Sequence, residues 1–592
     1  MTMQRIFDII DLQVEKYALP DALNRKTSKG WQAYSSTDVR QIVNQISGGL
    51  LNLGVQKGDK IAIASSNRPE WNLVDLGAQQ IGAISVPIYP TMSLENYAYI
   101  CKHAEVKIAF VEDQPLYDKI FEATNDYPLQ DIFTFEQLPE VKYWQTMLET
   151  NPNISKIASC KDQVTADDLL TIIYTSGTTG TPKGVMLTHR NIITNLMDVD
   201  ERVPGKRGAS RVLSFLPLSH IFERTGVYAF MYMGFGIYYA ESMEKIADNI
   251  KEVKPHFFDT VPRLLEKIYD KIMAKGEEAG GIKKWLLNWA VQIGLEYEPH
   301  LSMPVWKAIQ LDLARAIVFK KWREALGGNI ETIFVGGAAL QPRLARVFWA
   351  AEIPVCEAYG LTETSPGLAS CLPTPKGMRA GTVGFPFGHV QIKIAEDGEI
   401  LAKGDSIMQG YYKEPEKTNE VLKDGWFHTG DIGMFTEGGF LKITDRKKEM
   451  FKTSGGKYIA PQVIENKLKE SYFIEQVMVV GEGKKFPSAL VVPNFEAVKS
   501  WATEVGLRFE SPAQVIKEPK FLQKMEQEVK ASNEGLGSWE QIKKFVLLPE
   551  LWSIEGGELT PKMSLKRRVI LEKFTAQIEE LYQQPKAQTA KT

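Results

Sequence analysis

The sequence predicts an α/β protein with two domains: a large N-terminal domain of parallel-rich sheets flanked by helices, and a smaller C-terminal α+β domain. Short apolar runs alternate with helical stretches through most of the chain, a pattern typical of parallel sheets. At 592 residues the chain is also too long for one hydrophobic core. A charged joint at 443–449 precedes a β-rich run at 477–492, so we place the domains at 1–445 and 446–592. A disordered tail is predicted from about residue 585.

Composition excludes several classes of protein. A hydrophobic fraction of 44% and a charged fraction of 24% are ordinary for a soluble globular enzyme. The formal net charge of -3 gives no basic footprint for nucleic acid. The four cysteines show no CxxC spacing, so we expect reduced thiols in a cytoplasmic protein rather than a disulfide framework or a zinc site.

Neither a signal peptide nor a membrane span is predicted. The N-terminus reaches Asp8 before a long apolar run can form, and no uninterrupted apolar stretch reaches about 18 residues. The nearest stretch, 227–240, is rich in Met and aromatic residues but is interrupted by glycines. Peripheral contact with the inner face of a membrane and assembly as a homodimer both stay open.

The first 150 residues contain three predicted strands and a helix between them. The strands are the apolar runs at 58–64, 82–88 and 107–111, and the helix begins at 67–71, where Pro69 suits the first turn. Strands separated in this way by helical stretches favour a parallel sheet.

The central stretch of the chain, residues 174–184, follows an apolar run at 168–173 that indicates a buried strand. Its glycines let backbone N–H groups approach an anion, its hydroxyls add donors, and Lys183 adds a positive charge. It is not a Walker loop, because Pro182 precedes the lysine and Gly184 follows it. These residues alone predict either a phosphate cradle or a Gly/Thr-rich surface turn.

The next part of the chain carries a predicted helix from Asn191, a strand near 212–216 and a mainly helical region at 244–321, with one helix starting at 261–263. Within it, residues 275–328 look like an elaboration of the core fold. Its tryptophans are interpreted as packing residues rather than ligand contacts: Trp285, Trp289, Trp306 and Trp322.

Three later stretches again place polar or glycine-rich turns after apolar strands. They are 336–340 after the strand at 330–335, 359–364 after a strand beginning at Val355, and 426–431. Ligands bind at the carboxyl ends of parallel strands, so these turns are candidate parts of one site.

In this order the motifs resemble the AMP-forming adenylate family, which includes acyl-CoA synthetases, luciferases and peptide-synthetase adenylation domains. The resemblance covers nearly the whole chain. It is closest to long-chain fatty-acid–CoA ligases, on the stretches 216–224, 254–263 and 381–384. It implies ATP, Mg²⁺ and coenzyme A as cofactor and co-substrates, and a C-terminal domain that is mobile about a hinge near Lys448.

The resemblance also implies roles for individual residues. Phosphates would be held by Thr175, Ser176, Gly177, Thr178, Thr179 and Lys183. Adenine would be held by Gly337, Ala338, Glu357, Ala358, Tyr359 and Gly360. Mg²⁺ would be held by Glu363, beside Thr362, with the Thr175 hydroxyl nearby. Nucleotide or CoA contacts in the second half of the site would come from Asp431 on the ribose, Arg446, Lys448, Lys452, Gly455 and Gly456.

Two predictions about the acyl side of the site each have an alternative. His220 follows Leu-Pro-Leu-Ser, where the family places a histidine beside the acyl carboxylate; the alternative is a satisfied core histidine. An acyl tunnel would need a long apolar slot. The residues that could line it could equally be core: Phe222, Tyr228, Phe230, Met231, Met233 and Gly234.

One departure from the family lies near the C-terminus. Relatives carry a lysine at the position that aligns with Ser564, where it contacts the reacting carboxylate and the α-phosphate. If this segment is extended, Lys562, Ser564 and Lys566 share one side, so a neighbouring lysine could substitute. We prefer Lys566 to Lys562, because its flanking basic residues match the family better.

The expected activity is ligation of a long-chain fatty acid to CoA through acyl-AMP. One alternative is a fatty acyl-AMP ligase that loads a carrier protein; the uninterrupted run 446–464 argues against it. The other is a nucleotide- and acyl-binding protein with weak catalysis, which only Ser564 supports.

Overall fold

The computed structural model describes residues 3–175, 181–560 and 564–583. The predicted tail from residue 585 lies outside these ranges, as do residues 176–180 and 561–563. The chain divides into two compact units. Unit 1 comprises Met1–Lys393, Leu401–Thr429 and Phe435–Leu441; unit 2 comprises Ile394–Ile400, Gly430–Met434 and Lys442–Thr592.

The strands, in chain order, are β1 Leu23–Thr27, β2 Gly30–Tyr34, β3 Lys60–Ala64, β4 Ile84–Pro87, β5 Val106–Val111, β6 Asp131–Thr134, β7 Lys142–Tyr143, β8 Leu169–Thr175, β9 Lys183–Thr188, β10 Arg211–Ser214, β11 Gly236–Tyr239, β12 Phe257–Thr260, β13 Thr332–Val335, β14 Val355–Gly360, β15 Gly367–Ser370, β16 Phe385–Pro386, β17 Val390–Ile394, β18 Glu399–Gly404, β19 Gly410–Tyr411, β20 Leu422–Lys423, β21 Trp426–Phe435, β22 Leu441–Arg446, β23 Phe451–Lys452, β24 Tyr458–Ile459, β25 Ile474–Val480, β26 Ser488–Pro493 and β27 Lys544–Leu547.

The α-helices, in chain order, are α1 Asp8–Leu12, α2 Ser36–Asn52, α3 Pro69–Gln80, α4 Leu94–Ala104, α5 Gln114–Ala123, α6 Ile154–Gln163, α7 His189–Arg202, α8 Ile221–Tyr232, α9 Ile246–Val253, α10 Pro262–Ala279, α11 Gly281–Leu295, α12 Val305–Ala314, α13 Lys320–Ala325, α14 Pro342–Ala350, α15 Pro415–Val421, α16 Pro461–Leu468, α17 Phe495–Glu504, α18 Pro512–Val515, α19 Pro519–Ser532, α20 Arg567–Lys573 and α21 Thr575–Tyr582.

Two large sheets form the centre of unit 1. One has the strand order β19-β9-β8-β4-β3-β5-β6-β7, and the other the order β16-β15-β14-β13-β12-β10-β11-β1-β2. Their interior strands pair in parallel, as in β3 with β4 and β5, and β13 with β12 and β14. The α/β prediction is therefore confirmed. Strands β4, β12 and β13 are buried at every position, which is typical of parallel strands covered on both faces.

Local sequence signals set the helix starts. The helix predicted from Asn191 begins two residues earlier, at His189, because Thr188 and Asn191 form a reciprocal capping box. Pro69 occupies the first turn of α3, and Pro262 that of α10. Proline is tolerated there because the first N–H groups of a helix have no intrahelical partner.

The Met- and aromatic-rich stretch at 227–240 is core. It forms the end of α8 and β11, and Tyr228, Met231 and Met233 are fully buried. Phe230, Phe235 and Phe257 stack on one another with ring centroids 5.4–6.3 Å apart. Core packing and the lining of an acyl tunnel both require buried side chains, so the choice between these two interpretations stays a prediction. Within the described ranges, no helix combines the length and the apolar character needed to cross a bilayer.

Unit 2 has an α+β core. Strands β25, β26 and β27 form a three-stranded sheet, antiparallel between the first two and parallel between the last two. Helices α16 and α19 supply apolar residues to a cluster under this sheet, such as Ile464, Phe521 and Met525. A short antiparallel pair, β23 with β24, precedes α16.

Candidate active site

The predicted phosphate cradle connects two antiparallel strands. β8 and β9 pair so that Thr175 lies opposite Lys183, and Tyr174 opposite Gly184. The two ends of the cradle are therefore held side by side by a sheet ladder. Ser176, Gly177, Thr178 and Thr179 lie outside the described residues.

A tyrosine that the sequence analysis did not single out connects Lys183 with Glu363. The Lys183 ammonium lies 4.7 Å from the centre of the Tyr411 ring, and the Tyr411 hydroxyl donates a hydrogen bond of 2.9 Å to Glu363 Oε1. β19 positions this tyrosine by pairing with β9, so that Tyr411 lies opposite Val185. Burial, with the Glu363 charge as a second cause, raises the pKa of Tyr411, which keeps the hydroxyl a proton donor.

Glu363 itself sits in a single 3₁₀ turn, Thr362–Thr364, directly after β14. The Met408 N–H donates to its backbone carbonyl at 2.9 Å, and its side chain is half-buried. Mg²⁺ bound together with phosphates commonly takes one or two carboxylates from the protein. A half-buried carboxylate beside Lys183, with the Thr175 hydroxyl on the paired strand, fits that donor set.

The predicted adenine residues follow two adjacent parallel strands. β13 pairs with β14 so that Val335 lies opposite Glu357, and Gly337 and Ala338 are exposed directly after β13. Gly337 has φ +80°, a conformation that favours glycine. Ala358 and Tyr359 lie at the carboxyl end of β14, so both segments lie at the same edge of the sheet.

Two features fix the shape of this edge. Glu357 Oε2 accepts a hydrogen bond of 3.2 Å from the Leu340 N–H, and burial raises the pKa of this carboxyl to about 8. Glu357 therefore anchors the 336–340 loop as a largely protonated side chain at neutral pH. At Gly360 an added Cβ would lie 1.7 Å from the Pro366 carbonyl oxygen, so only glycine fits.

His220 lies beside the same loop. It is the N-cap of α8, and its Nδ1 accepts a hydrogen bond of 3.0 Å from the Phe222 N–H. The Phe222 ring lies 3.2 Å from the position a Cβ would take on Gly336. The loop after β13 thus contacts the first turn of α8, which brings the predicted acyl-side residue and the predicted adenine residues together in unit 1.

The remaining predicted residues lie in unit 2. Asp431 was predicted in a turn after a strand; that is wrong, because it lies inside β21, where the strand alternates buried and half-buried positions. Its side chain is almost fully buried and pairs with Arg446 Nε at 3.0 Å. Asp431 and Arg446 are 15 positions apart in the sequence, and the sequence analysis did not predict that they form a pair.

The segment after β22 presents the other predicted nucleotide and CoA residues at the surface of unit 2. Lys448 is exposed in a turn, and Lys452 is exposed on β23 with its ammonium 4.5 Å from the Tyr458 ring centre. Gly455 and Gly456 form the tight turn between β23 and β24, with φ +79° at Gly456.

The C-terminal lysine segment lies partly outside the described residues. On its two sides, Leu559 and Leu565 form an antiparallel bridge, and the Lys566 N–H donates to the Glu558 carbonyl at 2.7 Å. The shared side of Lys562, Ser564 and Lys566 therefore stays a prediction. Lys562 lies outside the described residues, whereas Lys566 is half-buried just before α20.

A cavity of about 590 Å³ lies within unit 2. Its wall contains four lysines, two aromatic rings and no carboxylate: Thr453, Gly455, Lys457, Lys485, Phe486, Ser538, Trp539, Lys543 and Lys544. Sequence reasoning reached Gly455 but missed Lys485, Lys543 and Lys544, because they come from distant parts of the chain. Lysines and aromatic rings together suit a ligand with both phosphate and a flat base.

The family model of AMP-binding enzymes matches residues 11–412. The chain belongs to the AMP-binding enzyme family. A model of the AMP-binding enzyme C-terminal domain matches residues 449–586. The resemblance drawn from the motifs is thereby confirmed.

Curated AMP-binding enzymes match over most of their length. The long-chain-fatty-acid–CoA ligase FadD15 of Mycobacterium bovis is 32% identical, over 93% of this chain and 92% of that protein. The human long-chain-fatty-acid–CoA ligase 1 is 33% identical, over 94% of this chain and 84% of that protein. Among solved structures, the adenylation domain of a Mycobacterium chelonae carboxylate reductase matches 98% of this chain and 91% of that chain, with a TM-score of 0.76 and 20% identity. That likeness concerns the fold.

Proposed function

We propose that this AMP-binding enzyme ligates a long-chain fatty acid to CoA in two steps. In the first, a carboxylate oxygen of the acid attacks the α-phosphorus of ATP, forming acyl-AMP and releasing pyrophosphate. In the second, the CoA thiol attacks the acyl carbon and AMP leaves. The observation that carries the proposal is the Lys183–Tyr411–Glu363 contact beside the carboxyl ends of β13 and β14. The long-chain ligases that match nearly the full chain support the substrate class.

The first step brings two anions together, so the residues of unit 1 would act by holding charge. Lys183, with the 175–179 cradle, would bind the outer phosphates of ATP. Glu363 and Thr175 would hold Mg²⁺, which supplies positive charge to the phosphates when bound. The loop at Gly337 and Ala338 would take adenine against Tyr359, and His220 would orient the acyl carboxylate.

Unit 2 would supply the remaining contacts. Asp431 would accept hydrogen bonds from the ribose hydroxyls, with Arg446 beside it. Lys448 and Lys452 would contact nucleotide, with the hinge at Lys448. The lysine-lined cavity that includes Gly455 and Lys457 would take the phosphates and adenine of CoA. A cytoplasmic location and a homodimer remain predictions.

The deciding experiment follows both steps with one protein. Purified enzyme receives ATP, Mg²⁺ and oleate; pyrophosphate release is followed continuously, and oleoyl-AMP is trapped with hydroxylamine. CoA is then added and oleoyl-CoA is measured by mass spectrometry. We expect pyrophosphate release both before and after CoA is added, and oleoyl-CoA only after CoA is added. Pyrophosphate release without oleoyl-CoA would favour a carrier loader, and nucleotide binding without pyrophosphate release would favour a binding protein; either outcome contradicts the proposal.

The CoA part has its own test. Lys485→Glu with Lys543→Glu should raise the KM for CoA at least about tenfold, because opposite charges at the cavity wall would repel phosphate. Pyrophosphate release without CoA should stay unchanged. The matched control is Lys530→Glu on the exposed face of α19, which should alter neither quantity.

A further inference from the structure

The helices between β12 and β13 expose an unusual number of large apolar side chains. Among the described residues, eight of the exposed large hydrophobic side chains fall in the short stretch 282–317. They are Ile282, Trp285, Leu301, Val305, Trp306, Ile309, Leu313 and Ile317. The packing role predicted for the tryptophans holds for Trp322, which is buried, but is wrong for Trp285 and Trp306.

On α11 the exposed residues form one stripe. Ile282 and Trp285 are exposed, and Trp289, one turn further, stacks on Trp285 with ring centroids 6.4 Å apart. The opposite face is buried against the unit: an added Cβ on Gly294 would lie 3.3 Å from Val347 of α14. Trp289 is half-buried and packs against the core of unit 1, whereas Ile282 and Trp285 extend the stripe into solvent.

On α12 the same arrangement recurs. Trp306, Ile309 and Leu313 recur at helical spacing and are at least half exposed, whereas Leu311 and Ala314 on the other face are buried. A surface helix of a globular protein ordinarily presents polar residues outward. Helices α11 and α12 are in contact, and exposed apolar stripes on two neighbouring helices are of the kind that marks a docking surface.

The charge of this region favours an anionic occupant. Residues 282–321 carry six Lys and Arg against three Asp and Glu, although the whole chain has a net charge of -3. Lys283, Lys320 and Lys321 are exposed, and Lys320 lies 4.0 Å from Glu324. The Lys307 ammonium lies 5.5 Å from the Trp306 ring centre and pairs with Glu296 at 2.7 Å, so the exposed lysines, chiefly Lys283 and Lys321, carry the charge argument. Three of the surrounding groups are acidic: Glu296, Glu298 and Asp312.

We propose that the outer face of α11 and α12, defined by Ile282, Trp285, Val305, Trp306, Ile309 and Leu313, docks on the surface of an anionic lipid bilayer. Tryptophan and aliphatic side chains enter the headgroup boundary, while lysines at the rim reach lipid phosphates. The choice of a bilayer over another partner rests in part on the proposed function, since a long-chain fatty acid partitions into lipid.

The test measures sedimentation of the full-length protein with vesicles. Vesicles of phosphatidylglycerol and phosphatidylcholine are compared with vesicles of phosphatidylcholine alone, at low and high salt. The variant is Trp306→Glu with Ile309→Glu. Its matched control is Phe121→Glu on α5 with Ile154→Glu on α6, because Phe121 is as exposed as Trp306, at 57%, and Ile154 is 55% exposed.

We expect the wild type and the control to bind anionic vesicles, and the Trp306/Ile309 variant to bind at least about tenfold more weakly. Binding to neutral vesicles should be weaker and less dependent on salt. Equal vesicle binding by variant and control would overturn the proposal. The proposal would also be overturned if, without vesicles, the Trp306/Ile309 variant had a smaller sedimentation mass than the wild type. That result would assign the surface to a second copy of the chain.

A separate readout keeps this result distinct from the proposed ligase activity. Pyrophosphate release with oleate presented on cyclodextrin, without vesicles, should be the same for wild type, variant and control. Vesicle binding without any pyrophosphate release would leave the docking surface standing and reject the ligase. Pyrophosphate release without vesicle binding would do the reverse.

Discussion

Tyr411 is the residue that connects the phosphate cradle with the predicted Mg²⁺ ligand. Its ring lies under the Lys183 ammonium and its hydroxyl holds Glu363, so one side chain positions two charges of opposite sign. Because the aromatic ring and the hydroxyl act on different partners, substitution can separate the two contacts.

Glu363→Gln should lower pyrophosphate release at least about 100-fold, since it removes the carboxylate that holds Mg²⁺. Tyr411→Phe keeps the ring and removes only the hydrogen bond, so a loss of about tenfold is expected. Both are measured by pyrophosphate release across a Mg²⁺ titration, with thermal unfolding as the folding control. Unchanged turnover in Glu363→Gln would remove this residue from the mechanism.

A second residue-scale feature is a pair of buried carboxyls, Glu223 and Asp259. Burial raises the pKa of Asp259 to about 8, and burial with the Asp259 charge raises the pKa of Glu223. Gly226 leaves the necessary space, because an added Cβ would lie 2.1 Å from Asp259 Oδ2. In the folded state Asp259 therefore keeps its proton well above the pH at which the unfolded chain loses it.

This proton makes stability depend on pH. Between about pH 4 and about pH 8 the folded state binds the Asp259 proton and the unfolded state does not, so stability falls as the pH rises, by up to about 1.4 kcal/mol per pH unit. Asp259→Asn should flatten that decline, measured as the urea midpoint from pH 5 to pH 8. Asp312→Asn, on a side chain that is 75% exposed, should leave it unaltered. A parallel decline in wild type and Asp259→Asn would refute the assignment.

At the scale of elements, a buried ion pair ties α8 to α3 and to two strands. Arg224 pairs with Asp75 at 2.6 Å, and it also donates to the Thr171 and Ser85 hydroxyls on β8 and β4. Both charged side chains are completely buried. This network fixes α8, whose N-cap is His220, against the sheet that carries the phosphate cradle.

Arg224→Ala should cost about 3–5 kcal/mol of unfolding free energy, because it leaves Asp75 buried and unpaired. Arg190→Ala breaks the exposed pair with Asp167 and should have no measurable effect. Urea denaturation measures both. Recovery of stability in Arg224→Met with Asp75→Leu would identify the unpaired charge as the cause, and failure of Arg224→Ala to destabilise would contradict the argument.

The segment that ends at Lys566 is held in place by the next residue, Arg567, which is the first residue of α20. Arg567 forms two hydrogen bonds to Glu465, at 2.8 and 2.6 Å, and one of 3.0 Å to Glu449. Lys566 is thereby held next to Glu449, which follows the predicted hinge residue Lys448. This anchoring supports Lys566 as the substitute for the lysine missing at Ser564.

Lys566→Ala should slow pyrophosphate release at least about tenfold while thioester formation from supplied oleoyl-AMP stays normal. The reason is that the charge assists only the step at the α-phosphate. Lys562→Ala is the comparison, and it should have the smaller effect. Equal slowing of both half-reactions by Lys566→Ala would refute the assigned role.

At the scale of the molecule, two units each carry part of the predicted site. Unit 1 holds the phosphate, metal, adenine and acyl residues, and unit 2 holds Asp431, Arg446, Lys566 and the lysine-lined cavity. Alternation between two half-reactions would need a few residues to absorb a change in backbone angles. Lys448, exposed in the turn after β22, is the predicted position.

Lys448→Pro should lower overall oleoyl-CoA formation at least about tenfold, because proline fixes φ at the predicted hinge. Lys448→Ala removes the same charge without stiffening the backbone and serves as the matched control. Single-turnover measurements should give normal rates for each half-reaction taken alone. The loss of overall turnover is then assigned to the switch between the two half-reactions. Normal turnover in Lys448→Pro would count against a hinge there.

The sequence by itself determined the α/β class, the strands at β3, β4, β5, β8 and β13, and the family. These follow from local signals: short apolar runs, proline at helix starts and motifs whose spacing is fixed along the chain. Local signals also identified Lys183 and Glu363 as candidates, because a glycine-rich turn and an acidic turn after a strand can be recognised from the sequence alone.

Only the tertiary structure decided which side chains meet. Tyr411 has no local motif, and its place between Lys183 and Glu363 depends on the pairing of β19 with β9. The position of Asp431 inside β21 and the bridge between Leu559 and Leu565 depend on backbone pairing between separate segments. The exposure of Trp285 and Trp306 depends on which helix faces the rest of unit 1 buries. A pattern of residues specifies a helix or strand, but burial and contact are properties of the packed chain.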